Sequence, residues 1–248
     1  GVSGGKDSLA LLCGMARLRD YYPQPFEVVA LTADPCFGGQ ETDYSPIASL
    51  CASLGVEYHL RRTRLGEIIF EERKEKNPCS LCARMRRGYL YNFAKQLGCN
   101  KIALGHHYDD VIETILMGML WGAQVQTMMP KLHSTNFPGM ELIRPMYLIR
   151  EDDIKAWRDA NDLHFIQCAC RFTDTCTTCR PNEEAKSKRQ QTKQLIRELK
   201  KTNPEVEAHI FRSMENVCLD TVIAYKTGGR KISFLENYDR PRESSETE

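Results

Sequence analysis

The chain has 248 residues, 42% hydrophobic and 27% charged, which is the composition of an ordinary globular protein and excludes fibrous and disordered classes. Lys and Arg number 34 and Asp and Glu number 33, so net charge does not indicate a nucleic-acid partner, which would need a local basic face. No apolar run approaches the roughly 20 residues that span a bilayer, and the 11 cysteines are odd in number and clustered, so we expect a soluble protein of a reducing, cytoplasmic compartment.

A glycine-rich loop opens the chain and runs directly into an apolar helix, which predicts a phosphate-binding site. The loop residues are Ser3, Gly4, Gly5, Lys6, Asp7 and Ser8. Adjacent glycines let consecutive N–H groups converge on phosphate oxygens, and the following helix directs its positive end at the same anion. Lys6 adds a point charge, while Asp7 and Ser8 suit a helix cap or a phosphate-bound Mg²⁺. The alternative is a turn that only caps the helix.

Strands and helices alternate after this loop, which predicts an α/β fold with a doubly wound parallel sheet of the Rossmann type. Predicted helices cover 6–21, 44–54, 81–97, 109–121 and 151–161, and predicted strands cover 26–32, 56–60 and 101–104. Ligands of such sheets bind beyond the carboxyl ends of the strands. We therefore expect the opening loop, Asp34 and the segment after Leu104 to meet there. No apolar strand precedes the loop, so we also expect residues upstream of Gly1.

The remaining segments are less regular. We predict an irregular excursion within 124–145 before 142–145 re-enters the core, helices over 182–201 and 204–217, and a frayed or disordered tail over 226–248. This divides the chain into a nucleotide-binding domain over 1–165, a cysteine-rich loop with small C-terminal helices packed on it over 166–225, and the tail.

Two cysteine groups indicate a metal centre. Cys79 and Cys82 lie one turn apart at the start of a predicted helix, whose positive end favours thiolates and metal ligation. The second group comprises Cys168, Cys170, Cys176 and Cys179. In one model, the first pair and one downstream cysteine hold an iron–sulfur cluster that leaves one iron open to a ligand such as sulfide. In the other, the downstream four form a zinc site, and the first pair is a redox dithiol or inert.

A second polar motif follows the strand predicted at 101–104. Its residues are Gly105, His106, His107, Tyr108, Asp109 and Asp110, with Glu113 and Thr114 one turn on. A strand end that opens into a helix suits contacts to phosphate or Mg²⁺. The alternative is local, with Asp109 as the helix N-cap, Asp110 as a first-turn acid, and the histidines packed under the sheet.

Basic residues crowd two predicted helices. The helix with the first cysteine pair carries Arg84, Arg86 and Arg87, and a later one carries Lys186, Lys188, Arg189, Lys193, Arg197, Lys200 and Lys201. A tRNA backbone would complement both, although a solvated face explains the later helix equally well. Tyr89, Tyr91 and Trp121 either stack on a base or belong to the core.

These motifs resemble known families. Ser-Gly-Gly-Lys-Asp-Ser is similar to the loop of PP-loop ATP pyrophosphatases, which cleave ATP between the α- and β-phosphates and adenylate a carbonyl oxygen. The segments 78–88 and 104–110 resemble the TtcA family of tRNA 2-thiocytidine synthases, and the likeness runs over about residues 1–217. There are two alternatives. One is a lysidine synthetase-like ligase, which uses an amine nucleophile, and the other is a non-catalytic carrier of a cluster or of zinc.

The resemblance implies ATP, Mg²⁺ and a 4Fe-4S cluster as cofactors. Asp7, Asp110, Cys79 and Cys82 would be catalytic, and the opening loop with Asp34, Gly105, His106 and His107 would bind ATP. The cluster ligands would be Cys79, Cys82 and Cys170, with Cys168 as the substitute. Cys176 and Cys179 depart from the family pattern. The tRNA contacts would be Arg84, Arg86, Arg87 and Arg144.

The resulting prediction is an ATP-dependent tRNA sulfurtransferase. ATP would adenylate the C2 oxygen of an anticodon-loop cytidine, and sulfur provided through the cluster would replace that oxygen. The partners implied are tRNA, a sulfur donor such as a cysteine desulfurase, and a second copy of the chain in a homodimer.

Overall fold

The computed structural model describes residues 1–37, 41–69, 78–161, 188–236 and 238, and of residues 78–80 it describes the backbone alone. This part of the chain contains eight α-helices and seven strands. The helices are α1 (Lys6–Leu18), α2 (Ser45–Ser53), α3 (Leu65–Glu67), α4 (Pro78–Gln96), α5 (Tyr108–Gly122), α6 (Glu151–Ala160), α7 (Lys188–Thr202) and α8 (Val206–Arg212). The strands are β1 (Val29–Asp34), β2 (Glu57–Arg62), β3 (Lys101–Ala103), β4 (Lys131–His133), β5 (Glu141–Ile143), β6 (Ala224–Thr227) and β7 (Arg230–Ser233). None of the helices in these ranges is long and apolar enough to cross a bilayer.

The sheet is parallel where it carries the opening loop. Strand β1 pairs parallel with β2, and β3 pairs parallel with β5. The Val2 N–H donates to the Leu31 carbonyl oxygen of β1 at 2.7 Å, and the Gly1 amino group donates to the Ala103 carbonyl oxygen of β3 at 3.3 Å. The buried Thr32 hydroxyl donates to the Val2 carbonyl oxygen at 2.8 Å. The glycine-rich loop therefore leaves the sheet between β1 and β3.

Helices cover both faces of β1. Successive residues of a strand point to opposite faces of its sheet. Ala30 packs in one core cluster with residues of α1 and α2, including Leu12 and Ile47. Leu31 packs in another cluster with residues of α4, β3 and β5, including Tyr91. The doubly wound arrangement is thus confirmed, and Tyr91, which is 4% exposed, belongs to the core.

Two segments predicted to be irregular contain strands. Strands β4 and β5 lie within 124–145, and β4 runs antiparallel to β5, so this edge of the sheet is mixed. Strands β6 and β7 form an antiparallel hairpin around Gly228 and Gly229, whose φ angles are 56° and 78°. The prediction of a disordered tail is therefore wrong for 226–233. Two adjacent glycines permit the positive φ angles of a tight hairpin turn, which polar composition alone does not reveal.

Candidate active site

The glycine-rich loop is shaped by its own serines. Gly4 has φ 86°, a left-handed conformation that glycine adopts without strain. The Ser8 hydroxyl donates to the Gly5 carbonyl oxygen at 2.9 Å, and the Ser3 N–H donates to the Ser8 oxygen at 3.2 Å. Helix α1 begins at Lys6, and among the described residues no side chain caps its N-terminus. Its first N–H groups therefore remain available to an anion.

Gly105 brings the second polar motif against this loop. A Cβ atom at Gly105 would lie 2.9 Å from the Asp7 carbonyl oxygen and 3.2 Å from the Ser8 nitrogen. Both neighbours are backbone atoms that cannot move aside without displacing the loop. The close approach of β3 to the start of α1 thus requires glycine, and it places the motif beside the loop.

We expect Gly105→Ala to push the two segments apart and to weaken ATP binding by about tenfold, or about 1.4 kcal/mol. Isothermal titration calorimetry with ATP measures the effect. Gly14→Ala on α1 is the matched control, because its Cβ would meet no atom within 4 Å and alanine favours a helix over glycine by about 1 kcal/mol. Unchanged ATP affinity in Gly105→Ala would show that the close approach does not shape the site.

His107 lies between the loop and α5. Its ring is 3% exposed, and Nε2 is 3.8 Å from Asp7 Oδ1 and 3.5 Å from Asp110 Oδ2. Within the described ranges, Nδ1 is buried without a hydrogen-bond partner. This nitrogen lies 3.7 Å from Asp109 Oδ2, whereas Nε2 is the ring nitrogen near Asp7 and Asp110. A ligand that enters between Asp7 and Asp110 would therefore meet Nε2 of His107.

The two acids at the start of α5 have different roles. The N-cap position is His107, and Asp110 Oδ2 accepts a hydrogen bond from the His107 N–H at 3.2 Å, so the alternative with Asp109 as N-cap is wrong. Asp109 Oδ2 instead accepts from the Glu151 N–H at 2.7 Å, at the first residue of α6. Asp109 thus stabilises the start of α6 and lies 3.7 Å from His107 Nδ1, while Asp110 faces His107 Nε2.

His106 is a half-buried acceptor for Arg144. Burial lowers the pKa of His106, and although Asp110 raises it, Arg144 lowers it further. The neutral ring accepts a hydrogen bond at Nδ1 from Arg144 Nε at 3.3 Å, and Arg144 also donates to the Met129 carbonyl oxygen. Arg144 is therefore held beside the second motif, and its contact with tRNA stays a prediction.

Helix α7 brings two cations to the acids of the site. Arg189 Nη1 lies 2.5 Å from Asp110 Oδ1 and 2.9 Å from Glu113 Oε2. Lys193 Nζ lies 3.5 Å from Glu113 Oε1 and 3.2 Å from Glu151 Oε2. These two residues thus pair with acids of the site and keep only about one-third of their side chains exposed, which the prediction of a basic helix face did not include. Periodicity places a charge on a helix face, but it does not show what that face meets.

Glu151 links this cluster to the loop. Its Oε1 lies 3.2 Å from Lys6 Nζ, which also lies 2.6 Å from Asp7 Oδ1. Burial raises the pKa of Glu151, but Lys193 and Lys6 outweigh burial and hold it at about 2. The ionised carboxylate fixes the Lys6 ammonium beside Asp7. The sequence-based prediction did not include Glu151, and it gave Arg189 and Lys193 only as part of a basic helix face, because the partners of all three lie on other elements.

A PP-loop domain family matches residues 1–172 of the chain. The chain belongs to the PP-loop family. It is 37% identical over 217 residues to the tRNA-cytidine(32) 2-sulfurtransferase of Geobacter sulfurreducens, covering 87% of this chain and 80% of the relative. It is also 37% identical over 219 residues to the enzyme of the same name from Syntrophotalea carbinolica, covering 87% and 79% of the two chains. The predicted resemblance to TtcA is confirmed.

A solved structure shows the same fold. The chain is similar to the U34-tRNA thiolase NcsA from Methanococcus maripaludis, described with its 4Fe-4S cluster. The TM-score is 0.65 at 24% sequence identity, and the match covers 87% of this chain and 69% of that one. The mixed α/β architecture predicted for a PP-loop protein is therefore confirmed.

The carboxylates of this PP-loop site suit Mg²⁺ only together with a nucleotide. Asp7 and Asp110 offer hard oxygen ligands on either side of His107. In the described part of the chain, no three His, Cys, Asp or Glu side chains converge as a metal site of their own. Mg²⁺ is commonly held by one or two carboxylates plus substrate phosphates, and this donor set fits that pattern.

Helix α4 connects the first cysteine pair of the PP-loop protein to the second motif. The helix begins at Pro78, three residues earlier than predicted, so the pair falls within its first five residues. Cys82 is half-buried. Arg87 follows Cys82 by five residues, which is about 7.5 Å along the axis of α4. It is close enough to His106 and Arg144 to lower the pKa of both side chains. A thiolate pair at a helix start fits an iron–sulfur cluster.

Several predicted ligands of the cluster are outside the described part of the chain. The candidates Cys168 and Cys170, and the additional Cys176 and Cys179, fall outside the described residues. The side chain of Cys79 is also outside them. Their roles stay predictions.

Asp34 stands at the carboxyl end of β1, as predicted, but its carboxylate serves the adjoining loop. It is 1% exposed, and it accepts hydrogen bonds from the Cys36 N–H at 3.0 Å and the Thr42 N–H at 3.4 Å. These contacts stabilise the backbone after β1. A direct contact between Asp34 and ATP stays a prediction.

The raised pKa of Glu113 predicts that the free energy of unfolding depends on pH. Burial raises its pKa from 4.5 to about 7, and Lys193 and Arg189 lower it only part of the way back. Between these two values the folded state binds more protons than the unfolded state, so Glu113 makes the free energy of unfolding decrease as pH rises. From pH 4.5 to pH 8, the wild type should lose about 3 kcal/mol relative to Glu113→Gln.

Urea unfolding of both proteins across this pH range measures the difference directly. The Glu113→Gln variant controls for all other titrating groups. A difference between the two proteins that stays constant with pH, or grows in the opposite direction, would contradict the prediction.

Proposed function

We propose that this chain is an ATP-dependent tRNA sulfurtransferase that converts the cytidine at position 32 of the anticodon loop to 2-thiocytidine. The observation that carries the proposal is the apposition of the PP-loop and His107 through Gly105, in a chain 37% identical over 217 residues to a tRNA-cytidine(32) 2-sulfurtransferase. The site supplies the adenylating half of this reaction, and the cysteine pair on α4 supplies ligands for the sulfur-transferring half.

The first half-reaction activates the base. The C2 oxygen of cytidine attacks the α-phosphorus of ATP, and pyrophosphate leaves with the bonding electrons. The uncapped N–H groups at the start of α1 and the Lys6 ammonium stabilise the negative charge on the phosphates. His107 donates a hydrogen bond to the same phosphates from its buried ring. Mg²⁺, held by Asp7 and Asp110, would neutralise part of the developing charge.

The second half-reaction replaces oxygen with sulfur. A sulfur nucleophile adds at C2 of the adenylated base, and AMP leaves with the former C2 oxygen. Cys79, Cys82 and Cys170, with Cys168 as the substitute, would hold a 4Fe-4S cluster, which would bind the sulfide that is transferred. Cys82 lies on the same helix as Arg87, which is close enough to His106 to lower its pKa, and this supports placing the sulfur-transferring half near the adenylating site.

Three arginines of α4 are proposed to bind the tRNA backbone. Arg84 and Arg87 are exposed and Arg86 is half-buried, on the helix that carries the cysteine pair. Guanidinium groups bind phosphate in a bidentate manner. A tRNA along α4 would bring its anticodon loop toward both half-sites.

The assembly is part of the same proposal. We place the nucleotide-binding domain at 1–165 and the C-terminal extension at 166–225. The Tyr108 ring stacks on Phe211 at 4.8 Å, and the Tyr108 hydroxyl donates to the Glu207 carbonyl oxygen at 3.2 Å, which supports packing of α8 on the domain. We also propose a homodimer, a cysteine desulfurase as sulfur donor, and a cytoplasmic location, where tRNA substrates are found.

Anaerobic reconstitution tests the proposed reaction. Purified protein with bound iron, ATP, sulfide and unmodified tRNA should yield AMP, pyrophosphate and 2-thiocytidine in equal amounts. An iron-free protein that instead joins an amine to tRNA would favour a lysidine synthetase-like ligase. Pyrophosphate release that does not respond to tRNA would indicate a non-catalytic carrier.

A further inference from the structure

We propose that Arg189 is a further nucleotide-binding residue, which contacts the polyphosphate of ATP from the C-terminal extension. Arg189 lies on α7, beyond the residues 1–172 that match the PP-loop domain. The inference rests on the proposed function, because the polyphosphate in question is that of the ATP bound by the PP-loop.

The position of Arg189 is fixed by packing. Arg189, Thr192, Lys193 and Ile196 are spaced to share one face of α7. Thr192 is 0% exposed and Ile196 is 5% exposed, so this face is buried in the protein. The guanidinium is therefore delivered to the site by a packed helix and is not a surface ion pair formed at random.

The contacts of the guanidinium place it at the edge of the phosphate site. Its Nη1 donates to Asp110 and to Glu113, and the other oxygen of Asp110 accepts the His107 N–H. His107 Nε2 in turn lies 3.8 Å from Asp7 in the PP-loop. One carboxylate thus separates Arg189 from the backbone of His107.

The two acids that hold Arg189 differ in burial. The Glu113 side chain is 3% exposed and out of reach of a ligand, whereas the Asp110 side chain is 20% exposed, and a phosphate oxygen can replace it as a partner of Arg189. Arg189 itself is 35% exposed, so a ligand can reach it. A guanidinium has five N–H donors in a planar fork that matches phosphate, and Nη1 carries only two of them.

The charge balance of the site supports a phosphate contact. Lys6 is shared between Asp7 and Glu151, and Lys193 is shared between Glu113 and Glu151. ATP would add about four negative charges to this acidic surrounding.

Calorimetric titration of Arg189→Ala with pyrophosphate, ATP and AMP tests the proposal, in Mg²⁺ buffer without tRNA. We expect the affinities for pyrophosphate and ATP to fall about tenfold, and the affinity for AMP to stay within about twofold, because AMP lacks the phosphates that Arg189 would contact. Arg197→Ala removes the same charge from an exposed position of α7, and it should bind all three ligands as the wild type does.

Arg189→Lys is a second variant that tests the proposal even if Arg189→Ala does not fold. It keeps the charge but loses the planar fork, so it should weaken pyrophosphate and ATP about threefold and spare AMP. If Arg189→Ala does not fold, this variant decides. Wild-type affinity for pyrophosphate and ATP, or an equal loss for AMP, would overturn the proposal. A wild type that binds no ATP would instead contradict the proposed function.

Discussion

Asp110→Asn is expected to slow tRNA-dependent ATP cleavage by on the order of 10²–10³-fold. Asp110 offers one carboxylate oxygen to Arg189 and the other to the His107 N–H, and it is the proposed partner of Asp7 in holding Mg²⁺. The asparagine is of similar size, but it removes the negative charge and turns one acceptor into a donor. Steady-state release of pyrophosphate in the presence of tRNA measures the effect.

The adjacent acid provides the control. Asp109 accepts the Glu151 N–H at the start of α6, pairs with Arg150 at 3.4 Å, and lies 3.7 Å from the Nδ1 of His107 and not from its Nε2. Asp109→Asn should therefore lower the free energy of unfolding by about 1 kcal/mol and largely retain the rate of ATP cleavage. The two neighbouring substitutions should therefore separate chemistry from stability. If Asp109→Asn lost activity while Asp110→Asn kept it, the assignment of the two carboxylates would be reversed.

Cys82→Ser is expected to reduce tRNA thiolation by roughly 100-fold or more, because a hydroxyl does not replace a thiolate ligand of an iron–sulfur cluster. The affinity for ATP should stay within about twofold of the wild type, since Cys82 lies on α4 and the PP-loop lies at the start of α1. Iron analysis, nucleoside analysis and ATP titration of one anaerobic preparation measure all three properties.

Cys218→Ser is the matched control, because Cys218 is exposed and belongs to neither cysteine group. It should keep full iron content and thiolation. Full thiolation by an iron-free Cys82→Ser protein would remove the cluster from the proposed reaction.

Local patterns predicted much of the architecture and the centre of the site. The PP-loop depends on glycines and short polar side chains within six residues, and the second motif depends on six consecutive residues after a strand. Both act through backbone conformation at a strand end, which is a local property. Their apposition followed from the expectation that the carboxyl ends of parallel strands meet.

The parts that sequence reasoning missed depend on distant contacts. Nothing in the neighbourhood of Arg189 shows that its partner is Asp110, 79 residues away. Nor does the sequence around Glu151 show that its carboxylate lies between Lys6 and Lys193. Such pairs form only when separate helices pack together, and a basic helix face has the same spacing whether it meets tRNA, solvent or buried acids.

The most direct test of the central claim is a mass-spectrometric comparison of tRNA nucleosides from cells with and without this protein. The account predicts that 2-thiocytidine disappears when the protein is absent, returns with the wild-type chain, and does not return with Cys82→Ser. Cells that lack the protein and retain all their thiolated nucleosides would contradict it.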